Sequence, residues 1–507
     1  MPRFPRRGPV AALAAVLALT ACSAETSDPP DDVEPTGLAS GERMDLSVLT
    51  YNIEYSGDES TDAVIEDLDA DVVGVLESYN RLPEIAERTG YPYYNLSLQL
   101  LSRYPIHEPS GADGLYALIE VQPGYVVAMF NTHLDYVRYG PRLYLGGLPV
   151  ADLIASENEV RTSSIEVLTP DMQVLLEEGY PVFLTGDLNQ PSSLDYTEET
   201  VGMREGVTEP IPWPVSEALL GIGMRDTFRE IHTDPVENPG LTHGNPDFQQ
   251  GGFGDRIDYL YAGGPAVTQT SELVGEVDGP NVDREYEPWT SDHRAVLSAF
   301  EVTPVELRQT LSLERRLLTE GEELGVLFHA PGSTEATISV VPEGGSPDAA
   351  LASETVSGES GNTSFDTGSL DPAGYDIVLV DAEGAELERN SFWVRSENDD
   401  VALSTDTATY ALGEPIDVTW DDGPANRWDW IGVYRAAASD PAKDDYLLWG
   451  YTGGHDAGAL PPTVFGAMTM GPDSQGRPWP LPPGDYRIHY LLADQYNSAG
   501  YVEVTVE

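Results

Sequence analysis

Six short apolar runs recur between Asp45 and about Val302, each with an Asn, Glu, Asp or His at or beside one end, and this constrains the fold more than any other feature. The runs are Leu46–Ile53, Val72–Leu76, Tyr125–Thr132, Val182–Thr185, Ile257–Tyr261 and Ala295–Val302. Each has the length and the β-branched content of a buried strand. Between them, Thr61–Leu68 and Leu153–Leu176 carry apolar residues at helical spacing, the second interrupted by Pro170. Strands alternating with helices predict an α/β domain. Beyond Pro304 the segments become short, alternating and separated by turns, which reads as all-β. A weak repeat runs through that tail: Thr319-Glu320-Gly321-Glu322 corresponds to Ala411-Leu412-Gly413-Glu414, and the turn before Tyr375 to the turn before Tyr486. Two β-sandwich modules, 305–398 and 400–507, are expected, the second with about 19 additional residues.

The first residues read as targeting rather than fold. Arg3, Arg6 and Arg7 precede an apolar run from Val10 to Leu19, too short to span a bilayer as a helix and suited to a signal peptide. The run ends in Leu19-Thr20-Ala21-Cys22, similar to a bacterial lipobox, and Cys22 is the single cysteine of the chain. Residues 1–22 are therefore expected to be a lipoprotein signal peptide with Cys22 the lipidation site. Residues 23–42, rich in Asp, Pro, Ser and Thr, are expected to be a flexible tether. The protein would sit outside the cytoplasmic membrane, held there by a lipid anchor alone. One cysteine also excludes internal disulfides and a cysteine-based zinc site.

Charge narrows the partners. The chain has 86 acidic and 26 basic residues, a net charge of −60. That argues against a basic nucleic-acid-binding surface and against electrostatic docking on anionic lipid. Lys443 is the only lysine, which suggests a salt-tolerant source; arginine-for-lysine bias in a GC-rich genome accounts for it equally well.

The strand-end residues share one chemistry. Asn52, Glu77, His133 with Asp135, Asp187 with Asn189, Asp258, and Asp292 with His293 gather beside the apolar runs. Singly, Asp and Asn at strand ends are turn formers; six such sites are harder to dismiss. Hard oxygen donors such as Glu77, Asp292 and Asn52 suit Mg²⁺ or Mn²⁺. Two histidines offer groups that titrate near neutrality, and an acid such as Asp258 reaching His293 would fix its tautomer. Neither a GxSxG elbow nor a P-loop competes.

The series Thr50-Tyr51-Asn52-Ile53, Leu76-Glu77, Leu101-Ser102-Arg103-Tyr104-Pro105-Ile106, Asn131-Thr132-His133-Leu134, Gly186-Asp187-Leu188-Asn189, Arg256-Ile257-Asp258-Tyr259 and Ser291-Asp292-His293 resembles the endonuclease/exonuclease/phosphatase superfamily, in that family's order. The resemblance implies a four-layer α/β/β/α sandwich over 43–303 with the site at one rim. It implies a metal-dependent hydrolase of phosphoric esters working by in-line attack of a water assisted by metal and histidine. Glu77 would be the principal metal ligand, with Asn52 and Asp292 near the metal; Asp187 and Asn189 would orient water or phosphate. His293, paired with Asp258, would act on the phosphate, and His133 matches a histidine of deoxyribonuclease-like and sphingomyelinase-like members. The repair branch typically has Tyr there, which makes that branch a poor fit.

For substrate, small phosphoesters at the cell surface are expected first, DNA or RNA cleaved outside the cell second, and sphingomyelinase-like lipid cleavage third, since no exposed apolar hairpin suits entry into a membrane; a non-catalytic surface-binding protein is the non-enzyme alternative. Arg138 and Arg142 are weak candidates for a substrate phosphate; His243 is read first as a loop histidine and second as a residue lining the pocket. The segments Trp428-Asp429-Trp430-Ile431-Gly432-Val433-Tyr434 and Trp449-Gly450-Tyr451 resemble an immunoglobulin-like domain, with the aromatics expected in its core. No protein partner is implied.

Overall fold

The computed structural model describes residues 38–112, 114–203, 206–244, 254–396, 401–424, 429–438, 440–452, 464–472, 474–492 and 495–507, with Asn80 described by backbone only. Cys22, the signal run, residues 23–37 and Trp428 lie outside the described residues. No helix among the described residues is long and apolar enough to cross a membrane.

Two large mixed sheets carry the first domain. One runs β12 (Arg284–Tyr286), β11 (Ala266–Glu276), β13 (Ala295–Val302), β1 (Met44–Asn52), β2 (Val72–Leu76), β4 (Leu100–Ser102) and β3 (Tyr93–Asn95). The other runs β5 (Ile106–His107), β6 (Ala117–Gln122), β7 (Tyr125–His133), β8 (Val182–Asp187), β10 (Asp258–Gly263) and β9 (Arg225–Asp226), with β14 (Val305–Glu306) on β7. The helices are α1 (Glu59–Leu68), α2 (Leu82–Thr89), α3 (Gly140–Leu145), α4 (Val150–Glu157), α5 (Ser163–Glu177), α6 (Pro214–Gly221) and α7 (Thr227–Ile231). The central strands are buried along nearly their whole length, so their side chains alternate between two cores rather than between core and water. Val48, Val127, Met129, Phe183 and Leu260 fill the space shared by the two sheets. Val73, Val75, Ile65 and Ile85 pack the first sheet against α1 and α2. Phe130, Leu184, Leu168 and Leu219 pack the second against α5 and α6.

Three expectations change. The domain does not stop at Val302: β14 continues the second sheet, and Val305 and Leu307 are buried in its outer core. The last residues of the expected tether belong here too, since Gly41 N donates to Pro304 O at 2.8 Å and Leu38 packs on that core. Finally, Pro170 lies inside α5; the interruption falls earlier, in a π-turn at Asn158–Thr162. Proline leaves the Glu166 carbonyl without its usual amide donor, and the Thr169 hydroxyl lies 3.5 Å from it.

The tail repeats one topology twice. Its first copy pairs β15 (Thr310–Leu313), β17 (Glu323–His329) and β20 (Ser360–Asp366) in one sheet. The opposing sheet runs β16 (Leu317–Thr319), β22 (Glu386–Arg395), β21 (Ala373–Asp381), β18 (Glu335–Pro342) and β19 (Ala352–Ser357). The second copy pairs β23 (Ala402–Thr405), β25 (Ile416–Asp421) and β28 (Gly466–Met470) against β24 (Thr409–Tyr410), β31 (Ser498–Val506), β30 (Gly484–Leu491), β26 (Trp430–Arg435) and β27 (Leu448–Tyr451), extended by β29 (Gln475–Gly476). The strand orders correspond one to one, with β29 the addition. Gly321 and Gly413 occupy the same left-handed turn position, at φ 84° and 83°. The Tyr375 hydroxyl donates to Asp371 O, four residues back, as that of Tyr486 does to Pro482 O.

Arg256, two residues before Asp258, is a structural clamp. Buried, it donates to Asp195 through Nε (2.9 Å) and to Asp226 through Nη2 (2.7 Å), while Arg229 Nε donates to Asp195 at 2.7 Å. Burial opposes the Asp195 charge, but Arg256 and Arg229 outweigh it and hold its carboxyl below the usual range. A depressed folded pKa contributes stability above the unfolded value, lost as pH falls through the folded one. Asp195→Ala strands a buried guanidinium and is expected to cost about 3–5 kcal/mol in denaturant melts at pH 7. Asp195→Asn should lose part of that stability at pH 7, and the deficit should shrink as acid protonates the wild-type carboxyl.

Candidate active site

Sheet register brings the polar strand ends to one rim. Parallel pairing sets Asn52 opposite Leu76, so Glu77 emerges next to Asn52. In the second sheet His133 is opposite Asp187, and Asp187 opposite Asp258. Strand β13 runs antiparallel to β1 with Val296 opposite Thr50, which delivers Asp292 and His293 to the same rim. The Ser291 hydroxyl ties the two segments, donating to Asn52 O at 2.7 Å and accepting from His293 N at 3.0 Å. Five cavity residues other than glycine have positive φ: Glu54, Tyr55, Glu77, Tyr79 and Asn189. Such backbone costs of order 1 kcal/mol each and persists where surrounding bonds over-determine it.

The side chains form one network. Asn52 Nδ2 donates to Glu77 Oε1 at 3.1 Å and to Asp187 Oδ2 at 3.2 Å, while its Oδ1 accepts from Glu54 N at 3.1 Å. Glu77 Oε2 accepts from Tyr55 N at 3.0 Å. Asp187 Oδ1 accepts from Asn189 N at 2.8 Å, and Asn189 Nδ2 lies 3.1 Å from His133 Nε2. His293 Nδ1 lies 2.9 Å from Asp258 Oδ2, leaving Nε2 towards Asp187 (3.7 Å) and Asp292 (3.8 Å). Thr242 Oγ1 accepts from the backbone N–H groups of Ile257 and Asp258, both at 3.0 Å, which fixes the turn into Asp258.

These distances set the protonation states. Burial opposes the His293 charge, but Asp258, Asp187 and Asp292 prevail and push its pKa up to about 10. Burial and the Asp258 carboxylate push Asp187 up, against His293 and His133. Burial also works against the Glu77 charge, yet His133, the Tyr55 N–H, His293 and Asn52 hold it below its usual value. His243, whose ring lies 4.5 Å from that of His293, is pushed down to about 4 by burial and by His293.

A cavity of about 430 Å³ opens over this network. Among the described residues its wall carries the carboxylates of Glu54, Glu77, Asp135, Asp187 and Asp292 against one guanidinium, Arg142. Among the described residues, His243, Asp292 and His293 hold ligand atoms within 4.8 Å of one another, as do Asp187, Asp258 and His293. The first group is two imidazoles and a carboxylate, the second two carboxylates and an imidazole. With the Glu54, Glu77 and Asp135 carboxylates on the same wall, hard oxygen outnumbers nitrogen and fits a divalent cation of the Mg²⁺ or Mn²⁺ type.

The rim gathers Asn52, Glu77, His133, Asp187, Asn189, Asp258, Asp292 and His293. Arg142 lines the cavity, but Arg138 does not: its guanidinium sits 3.1 Å from Glu159 on the surface. The amide nitrogen of Asn52 faces the carboxylates because the Glu54 N–H engages its oxygen. His243 is a cavity wall, the second of its two sequence readings, brought there by its backbone bridges to Asp255 and His293. Glu54 and the tyrosines 55, 79, 136 and 139 were also missed; their nearness to Asn52, Glu77 and His133 was the available signal. Tyr451, expected in a β-module core, reaches the cavity from the C-terminal module.

Residues 49–293 match the model of the Endonuclease/Exonuclease/phosphatase family. An uncharacterized protein of Caenorhabditis elegans is 32% identical over 208 residues, 38% of this chain and 64% of that protein, so the chain spans about two-thirds of its length at most. Among solved structures, an endonuclease/exonuclease/phosphatase from Beutenbergia cavernae is 18% identical, covering 69% of this chain and 99% of its own, with a TM-score of 0.33. An AP endonuclease from Archaeoglobus fulgidus is 15% identical, covering 50% and 98%, with a TM-score of 0.36. The family match supports the superfamily read from the motifs.

A raised folded pKa makes His293 stabilising at low pH: its contribution is full below the unfolded value near 6.5 and is lost as pH rises towards about 10. Asp258→Asn removes the carboxylate on Nδ1. The His293 ring resonance, followed by NMR in metal-free protein, should then titrate at lower pH, and the alkaline loss of stability should begin earlier.

Proposed function

We propose that this chain, matched to the endonuclease/exonuclease/phosphatase superfamily over residues 49–293, is a divalent-metal-dependent hydrolase of small phosphoric esters, acting outside the cytoplasmic membrane. The observation that carries the reading is the charge of the cavity: five carboxylates against Arg142. A phosphate cannot enter such a wall without a cation to offset the repulsion. Glu77 and Asp292 are the ligands proposed, with Asn52 orienting Glu77 and Asp187. A Mg²⁺ or Mn²⁺ there would neutralise the phosphate and stabilise charge building on its oxygens.

The protein's own groups supply the rest. Asp258 holds His293 by Nδ1, so Nε2 faces the cavity. With its proton held by surrounding carboxylates, His293 donates to a phosphoryl or leaving oxygen. Asp187 orients Asn189, and Asn189 with His133 forms the opposite side, where a water would be positioned for in-line attack. The cavity volume of about 430 Å³ suits a small ligand. A net charge of −60 weighs against a long polyanion in dilute salt, which ranks an extracellular nuclease second.

The finer architecture is part of the same reading. Cores on both faces of each large sheet support a four-layer α/β/β/α sandwich. The repeated strand order and the paired tyrosine hydroxyls support two immunoglobulin-like modules. Placement on the outer face of the membrane rests on the sequence of residues 1–22, with Cys22 the proposed anchor.

Protein lacking its first 22 residues should hydrolyse bis(p-nitrophenyl) phosphate with Mg²⁺ or Mn²⁺ and stop in EDTA. His293→Ala and Glu77→Gln should each lower kcat/KM by about 10²-fold or more with melting temperature retained. Plasmid nicking lost in these variants would promote the nuclease reading, and EDTA-resistant hydrolysis would contradict the metal.

A further inference from the structure

Among the described residues, the C-terminal module reaches the cleft through one aromatic side chain. Tyr451 ends β27, in register with Trp430 of β26, and it lines the same cavity as Asp292 and His293. Its ring is braced from behind. Trp449 meets it edge-on at 5.3 Å between centroids, and Trp449 in turn packs on Trp430 at 6.3 Å. Trp430 is only 5% exposed and donates from Nε1 to Gln495 O at 3.0 Å, so the stack is anchored in the module's own core. Elsewhere on the cavity, Tyr55 and Tyr136 are 68% and 56% exposed and add two further ring faces to its wall.

We propose that Tyr451, with Tyr55 and Tyr136, holds the alcohol portion of the substrate, and that this portion is a planar ring; the C-terminal module is thereby a specificity element of the active site. The inference rests on the functional reading above and names the substrate class for it. Among the described residues Arg142 is the one guanidinium on the cavity wall, and the carboxylates cluster at the rim of the sheets. The phosphate end is thus recognised by charge and the other end by faces. Tyrosine presents a flat apolar surface at low conformational cost. A polyanion would want several cations along a groove, whereas a single ester bearing one ring matches one cation and a few rings.

Binding of phosphonates, which need no turnover, tests this separately from catalysis. Titration calorimetry with Mg²⁺ would compare phenylphosphonate, cyclohexylphosphonate and methylphosphonate on wild type, Tyr451→Phe and Tyr451→Leu, each checked by thermal melting. Wild type should bind the phenyl compound about tenfold more tightly than the methyl one, and more tightly than the cyclohexyl one. Tyr451→Phe should keep that ratio; Tyr451→Leu should lose most of it while methylphosphonate affinity stays the same. An unchanged ratio in Tyr451→Leu, equal binding of phenyl and cyclohexyl, or no phosphonate binding by wild type overturns the inference. Should the leucine variant fail to fold, Tyr451→Trp carries the test, with a changed phenyl-to-methyl ratio expected and an unchanged one overturning it. Selective binding without ester turnover would instead sink the catalytic reading and leave the ring site standing.

Discussion

The amide of Asn52 is the joint on which the site depends, because its two N–H groups reach a carboxylate from each sheet, Glu77 and Asp187. That reach requires the sheets to approach closely beneath it. Gly74 makes the approach possible: a Cβ there would lie 2.1 Å from Thr185 Oγ1 and 2.6 Å from Asn131 Oδ1. Asn131 fills the gap with polar bonds, donating from β7 to Leu98 O at 2.8 Å, in the turn between β3 and β4 of the other sheet, and accepting from Thr185 Oγ1 at 2.8 Å. A buried amide so fully used specifies one relative placement of the sheets, where an apolar contact would tolerate sliding. The rim above inherits that register.

Electrostatics then decides what the rim can hold. Two buried acids, Asp187 and Asp258, and the part-exposed Asp292 surround His293. Concentrated negative charge in a partly dry cavity raises the pKa of the histidine and of Asp187 and prepares the site for a cation. Strained backbone at Glu54, Tyr55 and Glu77 points the same way, since the Glu54 N–H is held by Asn52 and the Tyr55 N–H by Glu77 rather than by local preference. Arg256, by contrast, is charge used for structure: its partners Asp195 and Asp226 are buried with it and face away from the chemistry.

Much of this was legible in the sequence because the determining signals are local. A strand run followed by a polar residue places Glu77 or Asp187 without knowledge of the fold, and the six strand positions agree with the observed elements. What the sequence hid is set by tertiary contact. His243 looks like any loop histidine until its backbone is seen bridged to His293. Arg138 and Arg142 are alike in sequence and differ because α3 turns one into the cavity while Glu159 takes the other. Pro170 reads as a breaker, yet a helix packed by Ile165, Leu168 and Met172 tolerates it, and the irregularity falls at Asn158–Thr162 instead. Tyr451 was out of reach for the same reason: nothing near it in sequence belongs to the catalytic domain.

The central claim is that the Asn52–Glu77–Asp187 joint exists to hold a divalent cation beside His293. Titrating Mn²⁺ into the protein by electron paramagnetic resonance, without substrate, tests it most directly. The account predicts a saturable site in wild type that Mg²⁺ displaces, weakened in Glu77→Gln and in Asn52→Ala but retained in Arg138→Ala. Saturable binding that survives both rim substitutions, or no binding above that of the exposed surface carboxylates, would contradict it.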